Sequence, residues 1–354
     1  MNVLGIDTSC DDTAVSVVAE GRHILSSVVM SQQRLHADHG GVVPEVASRR
    51  HLEEIRPAVA RALSEARLDL AGISAVAATA GPGLAGSLLV GYNLGRALAF
   101  GRRLPFIPVN HLEGHIYSAW LIAAEPPPPE PDLPLLVLIV SGGHTELVLM
   151  HAHGVYHRLG GTRDDAAGEA FDKVGRLLGL GYPGGPAVQR AAAALPPDVA
   201  PARLPRAWLP GTYDFSFSGL KTAVLHLIQE LGPSPTATQI HAIAAGFQAS
   251  VAEVLAGKTV AAARQYGVQG VALCGGVAAN TAVREALRAA LPLDLPLHVP
   301  PTWLCTDNAA MIAAAGFYRR QSAVPPTASD DVEPGLGLPL QSPDRMRARM
   351  DPAP

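Results

Sequence analysis

The stretch LLVLIVSGGHTELVLM at residues 135–150 constrains the fold most, because it predicts two strands joined by a tight turn. Leu135–Val140 is an unbroken apolar run of strand length, and residues 145–150 are largely apolar again. The turn between them, Ser141-Gly142-Gly143, has little side-chain bulk and leaves backbone N–H groups accessible. Because such groups can bind a phosphate, the sequence predicts a hairpin suited to a phosphate-bearing ligand.

A second strand-turn-strand unit lies near the N-terminus, where VLGI at residues 3–6 leads through a polar turn into TAVSVV at residues 13–18. Aligning the two turns sets Thr13 beside Thr145 and one apolar strand beside the other, which is a faint internal repeat. Two such units, each opening one half of the chain, predict two similar lobes that hold the phosphates of a ligand between their hairpins. Two unrelated hairpins are the alternative that the spacing leaves open.

The size and composition of the chain agree with two lobes, since 354 residues, 48% of them hydrophobic and 16% charged, supply enough apolar material for two cores. Every stretch long enough to span a membrane is interrupted by a charged residue, a proline or a glycine. The first residues also lack the basic and then apolar pattern of a secretion signal. These features predict a cytoplasmic protein without a membrane partner.

The net charge of −4 gives the chain as a whole no electrostatic attraction for a nucleic acid. Any contact with RNA would therefore use a local cationic patch or a partner protein. Two short basic pairs, Arg49-Arg50 and Arg102-Arg103, are candidates for such a patch, although pairs of this kind are more often only solvated.

The segment HLEGH at residues 111–115 is a candidate for metal binding, because histidines four residues apart lie on one face of a helix. The zinc-protease pattern H-E-x-x-H does not fit, since Glu113 stands one place too late to serve as its general base. A pair of histidines alone is weak support for a metal site and needs a third ligand. His36 and His39 form another possible pair, for which a surface loop is the more common explanation.

The segment GPGLAG at residues 81–86 is a G-x-G-x-x-G sequence between a predicted strand and a predicted helix, so a dinucleotide-binding fold has to be considered. That fold also requires an acidic residue at the end of the next strand, where it holds a ribose hydroxyl. Here the next strand, residues 106–109, is followed by Asn110 and His111. Together with Pro82 inside the loop, this disfavours a dinucleotide site.

The second half of the chain contains further turns with exposed backbone. The paired glycines of CGGVAAN, residues 274–280, would let a flat ring lie against the backbone while Asn280 bonds a ribose or base edge, although a plain turn explains them equally well. A proline-rich connector at residues 126–131 predicts the boundary between lobes. Asp307 is a free carboxylate at the start of a last helix, and the composition beyond Gln321 predicts a mobile tail.

Nine segments, in this order, resemble those of the TsaD family, the bacterial relatives of the Kae and Qri proteins. They are GIDTSCDDT, GGVVPEVASRRH, TAGPGLAGSLLVG, HLEGH, IVSGGHTEL, DDAAGEAFDKVGRLLGLGYPGGP, DFSFSGLKTA, LCGGVAAN and CTDNAAMIA. The resemblance implies an α/β actin-like, sugar-kinase-like ATPase fold whose two lobes carry duplicated mixed sheets. We expect an N-terminal lobe with the histidines at residues 1–132, a C-terminal lobe with adenylate-binding turns and a helical insertion at 133–320, and a mobile tail at 321–354.

By this resemblance, the protein would transfer the threonylcarbamoyl group from threonylcarbamoyl-adenylate to N6 of the adenosine next to the anticodon in tRNAs that read ANN codons, and release AMP. The bound nucleotide would be that adenylate or ATP. One divalent metal ion per subunit, iron(II) or alternatively zinc, would be held by His111, His115 and Asp307. The positions that match the family's substrate contacts are Ile139, Val140, Ser141, Gly142, Gly143, Asp172, Gly185 and Asn280.

Asp12 in the first hairpin is a candidate to orient or deprotonate the attacking amine. The family usually has Glu at this position and Asp where Arg50 stands. The carboxylate of Asp12 therefore reaches less far from the hairpin than the family's glutamate. The resemblance also implies partners, namely tRNA, TsaB and TsaE proteins, and a TsaC-type synthase that supplies the adenylate. A metalloprotease, a plain ATPase or sugar kinase, and a non-catalytic nucleotide-binding scaffold are the alternative functions.

Overall fold

The computed structural model describes residues 1–37, 39–123, 126–327 and 330–341, which fall into two compact units. The first unit contains Met1–Pro131, His151–His157 and the described residues from Pro300 onward. The second unit contains Asp132–Met150 and Arg158–Val299. The last part of the predicted mobile tail, residues 342–354, lies outside the described residues.

The first sheet is built around the N-terminal strand. Its strands are β1 (Asn2–Asp7), β2 (Asp12–Ala19), β3 (His23–Ser31), β4 (Ala75–Gly81) and β5 (Phe106–Asn110), in the order β3-β2-β1-β4-β5. β1 is antiparallel to β2 and parallel to β4, which is itself parallel to β5. β4 is buried along its whole length, as its continuous run of small and apolar residues predicts for a parallel strand covered on both faces.

The second sheet repeats the arrangement of the first. Its strands are β6 (Leu135–Val140), β7 (Thr145–Ala152), β8 (Val155–Gly161), β9 (Gly270–Cys274) and β10 (Leu297–His298), in the order β10-β9-β6-β7-β8. β6 is antiparallel to β7 and parallel to β9, just as β1 is antiparallel to β2 and parallel to β4. The predicted hairpins, the duplicated mixed sheets and the α/β fold class are therefore confirmed.

Helices connect these strands in both halves of the chain. They are α1 (Gln33–Ala37), α2 (Pro44–Glu65), α3 (Ala85–Arg102), α4 (His111–Tyr117), α5 (Ala167–Leu177), α6 (Gly184–Ala193), α7 (Ser218–Leu231), α8 (Ala237–Tyr266), α9 (Thr281–Ala290), α10 (Thr302–Cys305) and α11 (Ala309–Tyr318).

By length and composition alone, α8 is apolar enough to span a membrane. Over half of its most apolar part, 56%, is buried inside the structure, and α8 packs on α6 and α9, which is typical of a core helix.

Small residues hold α11 against the first sheet. A Cβ atom on Gly5 of β1 would lie 2.2 Å from the carbonyl oxygen of Ala309, and one on Gly316 would lie 2.6 Å from the Cβ atom of Ala77. Close packing therefore requires glycine at both positions. As a consequence, the start of α11 is fixed beside β1, and with it the position of Asp307.

The chain from Pro300 onward packs with the first unit, so the predicted C-terminal lobe ends earlier in the structure than residue 320. The alanine-rich α11 is buried almost throughout, and it finds its apolar surface on β1, β2 and β4. The described part of the predicted mobile tail is also bonded to this unit, because the N–H groups of Val324 and Glu333 donate to the carbonyl oxygens of Phe106 and Ala80, both at 2.8 Å. A proline-rich composition thus did not prevent an extended segment from bonding to the first sheet.

Candidate functional site

The two histidines of HLEGH are presented by α4, which begins directly after β5. The side-chain oxygen of Asn110 caps this helix by accepting hydrogen bonds from the N–H groups of Leu112 at 2.9 Å and Glu113 at 3.4 Å. His111 is thereby the first helical residue, and His115 follows one turn later on the same face. Their rings lie edge to face, with 4.7 Å between the centroids.

Asp307 supplies a third candidate ligand beside the histidine pair. It precedes α11, which is capped by the side chain of Asn308. The Oδ1 atom of Asp307 lies 3.4 Å from Nε2 of His111 and 3.4 Å from Nε2 of His115. One ligand atom from each of the three residues lies within 4.8 Å of the others, and no other such group of histidine, cysteine or acidic side chains occurs in the described part of the chain.

The chemistry of these three residues fits a divalent metal ion. His115 is fully buried, its Nδ1 has no hydrogen-bond partner among the described residues, and its Nε2 has there only the 3.4 Å approach to Oδ1 of Asp307. A buried polar atom without a partner is costly, and coordination of Nε2 would remove that cost. Burial lowers the pKa of His115, which favours the neutral imidazole that binds metals. For Asp307, burial opposes ionisation, but the two imidazoles outweigh it and lower the pKa of the carboxyl.

Asp7 and Ser9, which the sequence did not identify as site residues, surround the other ring nitrogen of His111. This Nδ1 atom lies 3.2 Å from Oγ of Ser9 and 3.3 Å from Oδ2 of Asp7. Asp7 is itself held in place, because its Oδ1 accepts hydrogen bonds from the N–H of Ser9 at 3.0 Å and the hydroxyl of Thr79 at 2.8 Å. Burial lowers the pKa of His111, but the carboxylates of Asp307 and Asp7 raise it well above its usual value. A carboxylate in this position orients a ligand histidine, and its signal in the sequence was the polar turn after β1.

Asp12 begins β2, and its carboxyl has a raised proton affinity. Burial raises the pKa of Asp12 to about 7, a hydrogen bond with Ser31 opposes this change, and the charge of Asp307 adds to it. Its Oδ1 atom is buried without a hydrogen-bond partner in the part of the chain that the structure describes. A carboxyl that exchanges its proton near neutral pH is suited to general acid–base catalysis. Catalysis by Asp12 stays a prediction.

The turn between β6 and β7 offers backbone groups rather than side chains. Ser141 closes this turn, since its N–H donates to the carbonyl of His144 at 2.8 Å and its hydroxyl accepts from the N–H of His144 at 3.2 Å. A Cβ atom on Gly142 or Gly143 would meet no described residue within 4 Å, and neither residue has a positive φ. The fold therefore does not require glycine at either position, and the missing side chains leave room for a ligand.

Asp172 and Gly185 lie where α5 meets α6. The carboxylate of Asp172 accepts a hydrogen bond from the N–H of Gly184 at 2.7 Å, so it shapes the turn. Burial raises the pKa of Asp172, and the hydrogen bonds from Gly184 and Gly185 oppose this rise. A Cβ atom on Gly185 would meet no atom within 4 Å in the described ranges, which again leaves room for a ligand. Ile139 and Val140, in contrast, are fully buried in β6, where they pair with β7 and Ile139 also pairs with β9, so their side chains do not reach a substrate.

Asn280 is bonded within the protein more fully than the sequence suggested. Its side-chain oxygen caps α9 by accepting from the N–H of Val283 at 3.2 Å, and its amide nitrogen donates to Oε1 of Gln248 at 2.9 Å. The next N–H, that of Thr281, donates to Oε1 of Gln189 at 2.9 Å. Side chains therefore already bind N–H groups of this helix end that a phosphate would need. Asn280 keeps one amide hydrogen and one lone pair for a neutral ribose or base group.

The other candidates from the sequence have structural roles. His36 is buried, and its Nδ1 accepts a hydrogen bond from the N–H of Val43 at 3.3 Å. It is not part of the candidate metal site of His111, His115 and Asp307. A Cβ atom on Gly81 of the G-x-G-x-x-G segment would lie 1.9 Å from the carbonyl oxygen of Glu333. Glycine at the start of that loop thus allows another part of the chain to pack closely against it.

The basic pair Arg49-Arg50 does not form a free cationic patch. Arg49 pairs with Glu45 at 2.7 Å on the exposed face of α2. Arg50 pairs with Glu53 at 2.7 Å and with Glu54 at 2.6 Å. The charge of both arginines is therefore balanced by carboxylates on the same helix.

Comparison with known sequences identifies a family. The family model described as "TsaD: tRNA N6-adenosine threonylcarbamoyltransferase" matches residues 23–314. Two similar proteins are named tRNA N6-adenosine threonylcarbamoyltransferase. The one from Symbiobacterium thermophilum is 55% identical over 95% of this chain and 96% of its own length. The one from Thermomicrobium roseum is 52% identical over 98% of this chain and 99% of its own length.

Solved structures share the fold at low sequence identity. HypF from T. kodakarensis aligns with a TM-score of 0.60 and 16% identity over 91% of this chain and 48% of its own. Component A of the (R)-2-hydroxyglutaryl-CoA dehydratase from Acidaminococcus fermentans aligns with a TM-score of 0.51 and 16% identity over 91% of this chain and 99% of its own. At this identity the likeness concerns the fold alone, and it agrees with the predicted fold class.

Proposed function

The chain belongs to the TsaD family of tRNA N6-adenosine threonylcarbamoyltransferases, enzymes that modify tRNA, and from this premise we propose its reaction. The enzyme transfers the threonylcarbamoyl group of threonylcarbamoyl-adenylate to N6 of the adenosine next to the anticodon, in tRNAs that read ANN codons. The products are N6-threonylcarbamoyladenosine and AMP. The observation that carries this proposal is the group of His111, His115 and Asp307, whose ligand atoms lie within 4.8 Å of one another.

The first unit would hold one divalent metal ion through His111, His115 and Asp307. Two histidines and one carboxylate suit iron(II) and also zinc. When bound, such an ion supplies Lewis acidity for polarising the carbamate carbonyl. Asp7 and Ser9 support the site from behind, because their contacts with Nδ1 of His111 keep Nε2 turned towards Asp307.

The second unit would bind the adenylate mainly through its backbone. The N–H groups of the open turn at Gly142 and Gly143 are suited to the phosphate, since hydrogen bonds to a charged oxygen are short and strong. These donors also stabilise the negative charge that develops on the phosphate as AMP leaves. Gly185 gives the nucleoside room, and Asn280 offers it one neutral donor and one acceptor.

Asp12 would accept the proton that N6 loses when the new carbon–nitrogen bond forms. A base is most effective when its pKa lies near the working pH, and burial brings the pKa of Asp12 to about 7. Oδ1 of Asp12 has no hydrogen-bond partner among the described residues. Proton removal and substrate binding are thus assigned to different residues of the chain.

The enzyme would depend on partners to bind tRNA productively. Its net charge is −4 and the Arg49-Arg50 pair is balanced by neighbouring carboxylates, whereas tRNA is a polyanion that needs cationic contacts. TsaB and TsaE proteins would supply what this chain lacks, and a TsaC-type synthase would make the adenylate. All of them would work in the cytoplasm.

Reconstitution with tRNA, followed by mass-resolved analysis of the tRNA nucleosides, tests the proposal. The complete mixture should form N6-threonylcarbamoyladenosine in tRNAs that read ANN codons, with release of an equal amount of AMP. Omission of this chain should abolish the product, and omission of TsaB or TsaE should lower it strongly. Multiple turnover by this chain alone with supplied adenylate would contradict the need for partners.

Three further measurements separate this reaction from the alternative functions. Peptide hydrolysis would support a metalloprotease, and ATP turnover without tRNA would support an ATPase or a sugar kinase. Full product formation by a His111→Ala protein would support a non-catalytic scaffold. We expect none of these three results.

A further inference from the structure

Glu113, the central residue of the HLEGH segment, is only 1% exposed and forms an ion pair with Arg319, the residue that follows α11. We propose that this ion pair is a positioning device for the metal centre. It fixes α4 against α11, so that His111 and His115 on one helix meet Asp307 at the start of the other. The inference rests on the proposed metal site and extends it to a pair of residues that binds neither metal nor substrate.

Helix geometry separates Glu113 from the metal ligands. Each residue rotates an α-helix by about 100°, so a residue two positions from both His111 and His115 lies on the opposite side of α4. The ion pair with Arg319 is made on that opposite side. Glu113 therefore acts on the metal ligands only through the helix that carries them.

Apart from the ion pair, three contacts between α4 and α11 follow the same order along both helices. The candidate metal ligands His111 and Asp307 lie at the start of the two helices. In the middle, a Cβ atom on Gly114 would lie 2.7 Å from Cδ1 of Ile312, so glycine allows the close approach. At the end, the ring of Tyr117 stacks on that of Tyr318, with 4.9 Å between centroids and 10° between planes. Any sliding or rotation of α4 along α11 would consequently move the ligand atoms apart.

A buried ion pair is well suited to fix one arrangement of two helices. Taking charges out of water is costly, and separating the partners would leave an uncompensated buried carboxylate. Arrangements of α4 that move Glu113 away from Arg319 are therefore disfavoured. The main chain of Arg319 has a defined place, because its N–H donates to the carbonyl of Ala315 at 2.9 Å at the end of α11. The three ligands are thus held together before a metal binds.

The test uses the full-length protein with Glu113→Gln, Arg319→Met and the double variant. Affinity for Zn²⁺ and Co²⁺ is measured by competition with a chelator, and the absorption spectrum of bound Co²⁺ reports the ligand geometry. Thermal unfolding in excess chelator is recorded on the same samples. We expect metal binding to weaken in all three variants, by at most the roughly 10- to 100-fold that follows the loss of a hydrogen bond to a metal ligand, because Glu113 acts on the ligands only through α4. The metal-free double variant should unfold at a higher temperature than the single variants, because it leaves no unpaired charge.

Arg206→Met is the matched control, since it removes an ion pair with Glu253 in the second unit and should leave metal affinity unchanged. Wild-type metal affinity and an unaltered Co²⁺ spectrum in the folded double variant would overturn the inference and leave the metal site intact. If the double variant does not fold, the folded single variants Glu113→Gln and Arg319→Met decide instead: unchanged metal affinity and Co²⁺ spectrum in both would also overturn the inference. Full metal retention by a His111→Ala protein would instead refute the metal site itself.

Discussion

The two candidate sites of this enzyme differ in the groups that form them: side chains form the first, and mainly backbone groups form the second. In the first unit, the polar side chains of His111, His115 and Asp307 converge, and both histidines are almost completely buried. In the second unit, the candidate contacts include Gly142-Gly143 and Gly185, where open space takes the place of a side chain. A metal ion needs donor atoms that side chains supply, whereas a phosphate is bound well by backbone N–H groups that side chains would obstruct.

Opposite substitutions should therefore disable the two sites. Shortening a side chain should remove the first site, because each ligand atom is lost with its side chain. Lengthening a side chain should remove the second, because the backbone would no longer be reachable. The two units can also fail separately, since every proposed metal ligand belongs to the first unit and every proposed adenylate contact to the second.

The largest effect is expected from His111→Ala and Asp307→Ala, which should abolish stoichiometric metal binding. Each change removes one of only three side-chain ligands, and a two-ligand remnant holds a divalent ion poorly. Elemental analysis of the purified proteins measures the loss. The control is His226→Ala, which removes an exposed histidine of α7 and should change nothing. Full metal content in both ligand variants would refute the assignment.

A smaller but still large effect is expected from Gly142→Val, which should weaken binding of a non-hydrolysable adenylate analogue. Loss of two hydrogen bonds to a charged group, each worth about 1.5–3 kcal/mol, would lower the affinity by roughly 3 kcal/mol or more. The fold should survive, since the new Cβ atom meets nothing within 4 Å. Metal content should also be unchanged. Calorimetric titration gives the affinity.

Two further glycine variants are controls for the effect of Gly142→Val on analogue binding. Gly101→Val places the same side chain in open space on the first unit, so analogue binding should be unaffected. Gly168→Ala would put a Cβ atom 2.5 Å from the carbonyl oxygen of Ser141, so it should destabilise the protein rather than block the ligand alone. Unchanged affinity in folded Gly142→Val protein would place the phosphate elsewhere.

The smallest effect is expected at Asn280, where a side chain serves both the fold and the ligand. Asn280→Ala should lower analogue affinity by about 1–3 kcal/mol through unpaired polar groups and lower stability by about 1 kcal/mol through the lost cap on α9. Asn280→Asp keeps the capping oxygen but removes the donor to Gln248, so it should keep the cap on α9, lose the hydrogen bond to Gln248 and still lose analogue affinity. Titration and chemical denaturation separate the two quantities. Equal affinity of all three proteins would remove Asn280 from the site.

Much of the fold and of both sites was accessible from local sequence patterns. Apolar runs on both sides of a polar turn near the N-terminus and of a small-residue turn at residues 141–143 predicted the two hairpins, and their repetition predicted two similar sheets. Histidines four apart predicted the shared face of α4. Resemblance to the TsaD family added Asp307, whose carboxylate the structure places 3.4 Å from Nε2 of each histidine.

Other features had no signature that a local pattern could reveal. The support of His111 by Asp7 joins the end of one strand to a helix far along the chain. Glu113 meets Arg319 across 206 positions, and Asn280 meets Gln248 across 32. Nothing near any of these residues in the sequence identifies its partner. The return of α11 to the first sheet was missed for the same reason.

The sequence by itself determined where the strands, turns and ligand histidines lie, because periodicity and side-chain size act over a few neighbouring residues. Only the tertiary structure decided which buried polar groups became partners, and which glycines face open space rather than a packed neighbour. Gly81 and Gly142 illustrate the difference, since a Cβ atom would collide with Glu333 at the first and meet nothing at the second. Both glycines stand in small-residue segments of the sequence, and their roles differ because a distant described part of the chain packs against Gly81 and none packs against Gly142.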